Sequence, residues 1–409
     1  MEHGIIGGIG ATDQRGVPVR RARIAGILLG VIGVAAGCSG ETTGTSSTNG
    51  GSTGAGATTS SGGGVASKCA VGARDVLVSD GVGSAAAVTF GGDHYLVAWT
   101  STAKDAGDIR IALLDAKGTK VTEQALAEGP GESSFPSVIP EAGGFLVVWQ
   151  DLAMSGAVVK GRRVNAAGMP QGAAFQIAKS GSVDARPSAA PATVGAAVAW
   201  ADATTSTLAQ LTGEMLLTKT PIDQGVSPAI GGAGAALGIT WVAGSKVGAA
   251  MMASPGAPLA PVMFREAVGK ANAPRVAVHN DGTLSVVWED NRAGDDHETI
   301  YLERIDKSAQ ASPEKRIPMS PESANYPDVA WTGTHDAVVY YQFRDGPPAI
   351  YLSLIGPDLA TTGQDLKISG DGLAARFPRI VRTGDAAGTL GVVYAEKYGP
   401  IRASFITCP

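Results

Sequence analysis

Charge, aromatic side chains and cysteine are all scarce in this chain. Only 17% of its 409 residues are charged and 5% are aromatic, and there are three cysteines. No run of Lys and Arg occurs beyond Arg23. Setting aside residues 1–37 removes Arg15, Arg20, Arg21 and Arg23 together with Glu2 and Asp13, which moves the net charge from −5 to −7. An acidic chain without a basic stripe excludes binding to nucleic acid, or to an anionic membrane surface, by charge. Histidine is equally thin: His94, His279, His297 and His335 stand apart, without the spacing of a zinc motif. Neither a G-x-S-x-G elbow nor a phosphate-cradling glycine loop is present. No segment beyond Cys38 carries a sustained 3.6-residue amphipathic pattern, which excludes a helical domain.

What is there is 44% hydrophobic, enough to bury a large core. The N-terminal 37 residues read as a targeting segment. Arg20, Arg21 and Arg23 precede the 14 uncharged residues Ile24 to Gly37, too short a run for a comfortable bilayer span. From Ser39 to Ala66, 22 of 28 residues are Ser, Thr or Gly. Such a stretch cannot bury enough apolar surface to offset its ordering entropy, so residues 38–66 are expected to form a flexible tether spanning roughly 30 Å.

The rest of the chain, 67–409, repeats itself. Seven short apolar runs end in Trp99, Trp149, Trp200, Trp241, Trp288, Tyr340 and Tyr394, at intervals of 41 to 54 residues. Six of them follow a proline by 13 to 16 residues: Pro136, Pro187, Pro228, Pro274, Pro327 and Pro378; Ala86 holds that place in the first copy. Trp331 stands outside the series. Each copy reads as four short strands joined by turn chemistry such as Asn280-Asp281-Gly282. In the fifth copy these are Pro274 to His279, Leu284 to Asp290, Thr299 to Asp306 and Glu314 to Ser320. Four-stranded repeats of this length predict an all-β fold, a seven-bladed β-propeller.

The last copy has only three strands, and the missing one stands at the other end: Asp75 to Asp80 matches Asp365 to Gly370. The N-terminal strand is therefore expected to complete the last blade and close the ring, leaving no open edge of the array. Cys69 and Cys408 flank the two strands so paired. That brings them within disulfide reach, as suits an exported protein.

Two resemblances carry expectations further. Val34-Ala35-Ala36-Gly37-Cys38 resembles the lipobox of bacterial lipoproteins, with Ala35 in place of the usual Leu. The resemblance implies that Cys38 is acylated, becomes the first residue of the mature protein, and anchors it to the bacterial cell envelope. The other reading is an uncleaved N-terminal helix with an incidental cysteine. Val286-Val287-Trp288-Glu289-Asp290-Asn291-Arg292 with Thr299-Ile300-Tyr301-Leu302 is loosely similar to sialidase-like and TolB-like propeller repeats. The Ser-x-Asp-x-Gly-x-x-Trp box of sialidases is missing, so the resemblance implies architecture and no catalytic residue.

Two places could carry chemistry. The acidic loop Glu289 to Glu298 offers oxygen ligands for Ca²⁺, although a solvated connection is the plainer reading. After the prolines, Ser137, Ser188 and Ala229 in copies two to four give way to Arg275, Asp328 and Arg379 in copies five to seven. These first-strand positions lie near the axis, where the arginines would suit a carboxylate or sulfate of an acidic ligand. The preferred alternative is that Asp328 pairs with one or both arginines in a structural network.

Three functions follow. The leading expectation is a non-catalytic binding or scaffold protein at the cell envelope, holding a protein or glycan partner. The second is a glycan-active hydrolase or lyase using Glu289, Asp290 and Asp328 with Arg275 and Arg379. The third is an outer-membrane assembly factor that lends blade edges to client strands.

Overall fold

The computed structural model describes residues 69–102, 107–127, 131–153, 156–222, 225–233, 236–252, 263–266, 271–292, 298–344, 346–384, 388–397 and 399–408. The expected signal segment 1–37, the tether 38–66 and the acylated Cys38 lie outside these residues. No helix among the described residues is long and apolar enough to cross a membrane.

Seven antiparallel sheets make up the described chain, six with strands in consecutive order and the seventh joining N-terminal strands to the last three. The innermost strands are Gly83–Gly91, Glu132–Glu141, Ser188–Pro191, Val226–Ala233, Asn272–Val278, Ala324–Trp331 and Ala375–Arg382. Each packs against its successor, and Ala375–Arg382 packs against Gly83–Gly91, so the inner strands form a closed cycle. The protein is a seven-bladed β-propeller with blade 1 starting at Gly83.

The repeated aromatic residue explains how neighbouring blades hold together. Trp99, Trp149, Trp200, Trp241, Trp288, Tyr340 and Tyr394 are all buried, none more than 1% exposed. Seven apolar clusters each draw residues from two adjacent blades, including one that joins blade 7 to blade 1. Sheets buried on both faces explain the near-continuous apolar runs, such as Tyr95 to Trp99. Trp331, outside the series, instead stacks on His279 with ring centroids 3.7 Å apart.

Ring closure differs in detail from the expectation. The strand that completes blade 7 is split in two, Ala70–Val71 and Val76–Ser79, both paired with Ile401–Thr407. Asp75 causes the split. It sits between the pieces with φ of 55° and accepts hydrogen bonds from the Gly370 N–H at 3.0 Å and from the Tyr394 hydroxyl. In blade 6 the comparable carboxylate is Asp365, which accepts from Ser353 Oγ and Arg344. Beyond the split, Cys69 and Cys408 form a disulfide with Cα atoms 4.1 Å apart.

The outer strand of blade 5 is shorter than expected. Lys315–Arg316 is a strand of only two residues, as is Leu366–Lys367 in blade 6. Arg292 and Arg344 lie beside these two short strands. Each stacks on the third-strand tyrosine, Tyr301 at 3.7 Å and Tyr351 at 4.0 Å, and pairs with the acid that enters the outer strand, Glu314 and Asp365.

The inner strands also begin earlier than expected in six blades, and the proline position is internal to them. Pairing skips two residues at this point: Ser84/Ala87, Ser134/Ser137, Val226/Ala229, Asn272/Arg275, Asn325/Asp328 and Arg376/Arg379 bracket the irregularities. A β-bulge leaves its extra residue outside the ladder, so proline is tolerated there without costing a hydrogen bond. The residue before the proline position takes a positive φ in all seven blades, from 40° at Arg186 to 55° at Phe377. The set is Ala85, Phe135, Arg186, Ser227, Ala273, Tyr326 and Phe377. None is glycine, so each blade holds a strained residue beside the axis at one end of the channel.

Candidate functional site at the axial mouth

Two repeated hydrogen bonds join neighbouring blades at this end. In the first, the residue after the closing aromatic accepts the strained residue's N–H from the next blade. Thr100 Oγ1 accepts from Phe135 N at 3.2 Å, Gln150 Oε1 from Arg186 N at 2.9 Å, and Glu289 Oε2 from Tyr326 N at 2.8 Å. In the second, the residue after the proline accepts an N–H from the following blade. Ser137 Oγ accepts from Ala189 N at 3.0 Å, Ser188 Oγ from Ile230 N at 3.1 Å, and Asp328 Oδ2 from Ile380 N at 3.0 Å. Asp328 therefore takes the place of a serine hydroxyl and brings a negative charge with it.

Arg275 and Arg379 occupy the same position in blades 5 and 7 but have no acceptor oxygen to offer. Each donates instead to the carbonyl of its own proline, at 2.8 and 2.9 Å. The Arg275 guanidinium lies 4.0 Å from Asp328, and Asp328 also acts on Arg379. The structure thus brings together the three residues named from the sequence, with Asp328 between the arginines.

Sequence reasoning missed a third guanidinium. Arg186 of blade 3 is the strained residue before Pro187, and its charge reaches Arg275, Tyr326 and Arg379 on blades 5, 6 and 7. The inner strand of blade 3 packs against those of blades 2 and 4, so Arg186 acts on blades 5 to 7 from a blade that is not next to all of them. Asp184 pairs with Arg186 at 2.9 Å, and Phe135 lies under its guanidinium at 4.9 Å. The signal in the sequence was the residue preceding each proline position, which takes a positive φ in every blade.

Burial, then the neighbouring charge of Arg379, hold the Arg275 guanidinium well below the usual arginine range, at about 9, against the pull of Asp328. Arg379 is lowered in the same direction, again by burial first. Arginine stays charged under physiological conditions, so the lowering measures the cost of keeping this cation here. A quarter of the Arg275 side-chain surface nevertheless remains accessible.

Blades 5 to 7 also carry acids and aromatic rings at this end. Glu289 is 2% exposed, and burial pushes its carboxyl up to about 7. The Tyr326 N–H and the Asn272 side chain oppose that rise, and the charge of Glu298 adds to it. Glu298 accepts a hydrogen bond from Asn325. Tyr326 packs edge-on to Phe377 at 4.7 Å and stacks with Tyr341 at 5.9 Å, and Phe343 meets Tyr341 edge-on.

Asp290 does not join this group. It is wholly buried and paired with Arg292 at 2.7 Å, since successive strand residues point to opposite faces. The carboxylate cluster drawn from the sequence is thereby reduced to Glu289 and Asp328. Among the described residues no group of three or more His, Cys, Asp and Glu side chains is arranged to hold a metal. Of the acidic loop expected to offer Ca²⁺ ligands, 293–297 lie outside the described residues, and the Arg292 cation occupies Asp290.

At the far end of the inner strands, His279 meets Ser285 Oγ at 2.8 Å and Asp336 Oδ1 at 2.9 Å. Both contacts use the same ring nitrogen, whereas a nucleophile–base–acid triad needs the base to use two. Asp336 also binds Arg304 at 2.7 Å, and the group pins blade 5 to blade 6.

No protein-family profile and no curated protein matches the chain. Solved structures do. An α-L-arabinofuranosidase of glycoside hydrolase family 93 from Fusarium graminearum, in complex with arabinobiose, aligns with TM-score 0.52 at 12% identity over 83% of this chain and 98% of its own. The β-propeller domain of the Trilobed protease from Pyrococcus furiosus, described as having an open velcro topology, aligns with TM-score 0.51 at 9% identity over 81% and 94%. A sialidase from Streptococcus pneumoniae aligns at TM-score 0.45 and 10% identity over 82% and 70%. At such identities the likeness defines the class, a β-propeller, and nothing finer.

Proposed function

We propose that this chain is a non-catalytic binding protein of the bacterial cell envelope, tethered through Cys38, whose axial mouth receives an anionic group of its ligand. The observation that carries this reading is the charge count at the mouth. Three guanidinium groups, Arg186, Arg275 and Arg379, act on one another with Asp328 between two of them. Asp184 pairs with Arg186, and Asp328 faces Arg275 and Arg379 while it accepts the Ile380 N–H, so the three guanidinium groups exceed these two carboxylates by one charge, an excess suited to a carboxylate or sulfate. An acidic glycan combines such groups with ring faces that can lie on Tyr326 and Phe377. Binding of the purified full-length protein to carboxylated or sulfated polysaccharides, against neutral ones of the same length, tests the reading. Preference for the acidic chains is expected, and equal binding of neutral chains would overturn it.

Glu289 favours a second reading, a glycan-active hydrolase. A carboxyl that titrates near neutrality suits a general acid. Against this stands its engagement by Asn272 and the Tyr326 N–H, the same contact that Thr100 and Gln150 make in other blades. Release of new reducing ends from an acidic polysaccharide, abolished in Glu289→Gln, would decide for the enzyme.

A further inference from the structure

Among the described residues five arginines lie over aromatic rings, and four of them also hold an acid. Arg163 over Phe175 pairs with Glu141, and Arg186 over Phe135 pairs with Asp184. Arg292 over Tyr301 pairs with Asp290 and Glu314, and Arg344 over Tyr351 pairs with Asp365. Arg376 is the fifth. Its guanidinium lies 5.9 Å from the Tyr341 ring centroid and 5.6 Å from that of Phe343. It has no carboxylate partner and donates no hydrogen bond among the described residues, and its Nε is buried without an acceptor.

Neighbouring blades show what this position holds elsewhere. Arg376 opens the bulge of the blade 7 inner strand, as Asn272 and Asn325 open those of blades 5 and 6. Each asparagine donates to a glutamate, Asn272 to Glu289 and Asn325 to Glu298. In blade 7 a cation takes the asparagine's place, and blade 6 meets it with two rings instead of a carboxylate. A cation–π contact holds the guanidinium but uses none of its N–H donors. Those donors are left for a group from outside the protein, and a carboxylate fits them in bidentate fashion.

The rings beside Arg376 lead to the axial mouth. From Phe343 the row runs to Tyr341 at 6.0 Å, on to Phe377 at 6.0 Å and then to Tyr326 at 4.7 Å. Tyr326 in turn feels the charges of Arg186 and Arg379. Tyr341 is buried, Phe377 and Tyr326 are half-buried, and Phe343 is 38% exposed. Two cationic places are thus joined by aromatic surface that passes from the inner strands of blades 6 and 7 to the second strand of blade 6. Resting on the anion-binding reading above, we infer that Arg376 and Phe343 form a second subsite, which takes the carboxylate and ring of a further sugar in a chain whose first carboxylate lies at the axial arginines. The ligand is then a chain of carboxylated sugars running outward between blades 6 and 7, not a single sugar acid.

Galacturonic acid and its linear hexamer, which carries one carboxylate per unit, are the probes. In calorimetric titration of the full-length protein, wild type should bind the hexamer more tightly than the monomer by about tenfold or more, because the second contact is made within one chain. Arg376→Gln and Phe343→Ala should each remove most of that gain and leave monomer affinity unchanged. The unchanged monomer affinity separates loss of a subsite from a disturbance of blades 6 and 7, and having two variants guards against one failing to fold. Equal binding of hexamer and monomer by wild type, or a gain of undiminished size in both folded variants, would overturn the second subsite and leave the axial site standing. Absence of binding of either probe to wild type would overturn the axial site and the second subsite with it.

Discussion

The Tyr326 N–H donates to Glu289 at 2.8 Å, and through that bond blade 6 rests on an acid where Thr100 and Gln150 serve in blades 1 and 2. A structural contact and an ionisable group thus share one side chain. The consequences separate into stability, charge and binding.

The stability consequence depends on pH. The folded-state proton affinity of Glu289 is raised above its ordinary carboxyl value of 4.5, to about 7. Between those values the native protein holds a proton that the unfolded chain has lost, so stability falls as pH rises through this window and levels off above it. The shift corresponds to about 3 kcal/mol at its full extent. Thermal melts of wild type and Glu289→Gln should diverge as pH rises from about 5 to about 8, with the glutamine variant the more stable at the upper end. Parallel melting curves would contradict the burial argument.

Asp328 separates hydrogen bonding from charge. Asp328→Asn keeps an oxygen for the Ile380 N–H but removes the counter-charge of Arg275 and Arg379. It should lower the melting temperature and tighten sulfate binding together. Asp328→Ala should lose the acceptor as well, at about 1–3 kcal/mol. Denaturant titration of the two variants checks the order.

Cys69 and Cys408 clasp the ends of the ring across 339 residues of sequence. Cys69→Ser with Cys408→Ser should cost about 3–5 kcal/mol by restoring freedom to the unfolded chain. Non-reducing peptide mapping should recover the two cysteines in one fragment. Equal melting of the double variant and wild type would show that strand pairing alone closes blade 7.

Cys38→Ser should shift the protein from the membrane to the soluble fraction of expressing cells, since the run from Ile24 to Gly37 is too short to hold it there as a span. Retention of the variant in membranes would speak for the uncleaved N-terminal helix.

The blade count, the closing aromatics and the cysteine pair were legible because each obeys a repeat, and a repeat is visible in one sequence. Trp99 through Tyr394 mark the interfaces that must be filled, so burial forces their spacing. Arg275, Asp328 and Arg379 stood out as departures from Ser137 and Ser188 in the same register. Arg186 did not, because its place follows from a positive φ just ahead of the inner strand, which backbone geometry shows and residue types do not. The split at Asp75 was hidden likewise, since a bend of the chain around one carboxylate leaves the strand pattern intact on both sides. Asp290 misleads because adjacency in sequence puts it beside Glu289, whereas strand geometry turns it to the opposite face.

The central claim is that the arginines of the mouth hold an anion, and one measurement bears on it most directly. Calorimetric titration of sulfate into wild type and into the Arg275→Ala, Arg379→Ala double variant, at mildly acidic pH, compares the intact site with one that retains only Arg186. Saturable binding by wild type that weakens at least tenfold in the double variant, with its fold retained by circular dichroism, is the predicted result. Sulfate binding of unchanged affinity in the folded double variant would contradict the account.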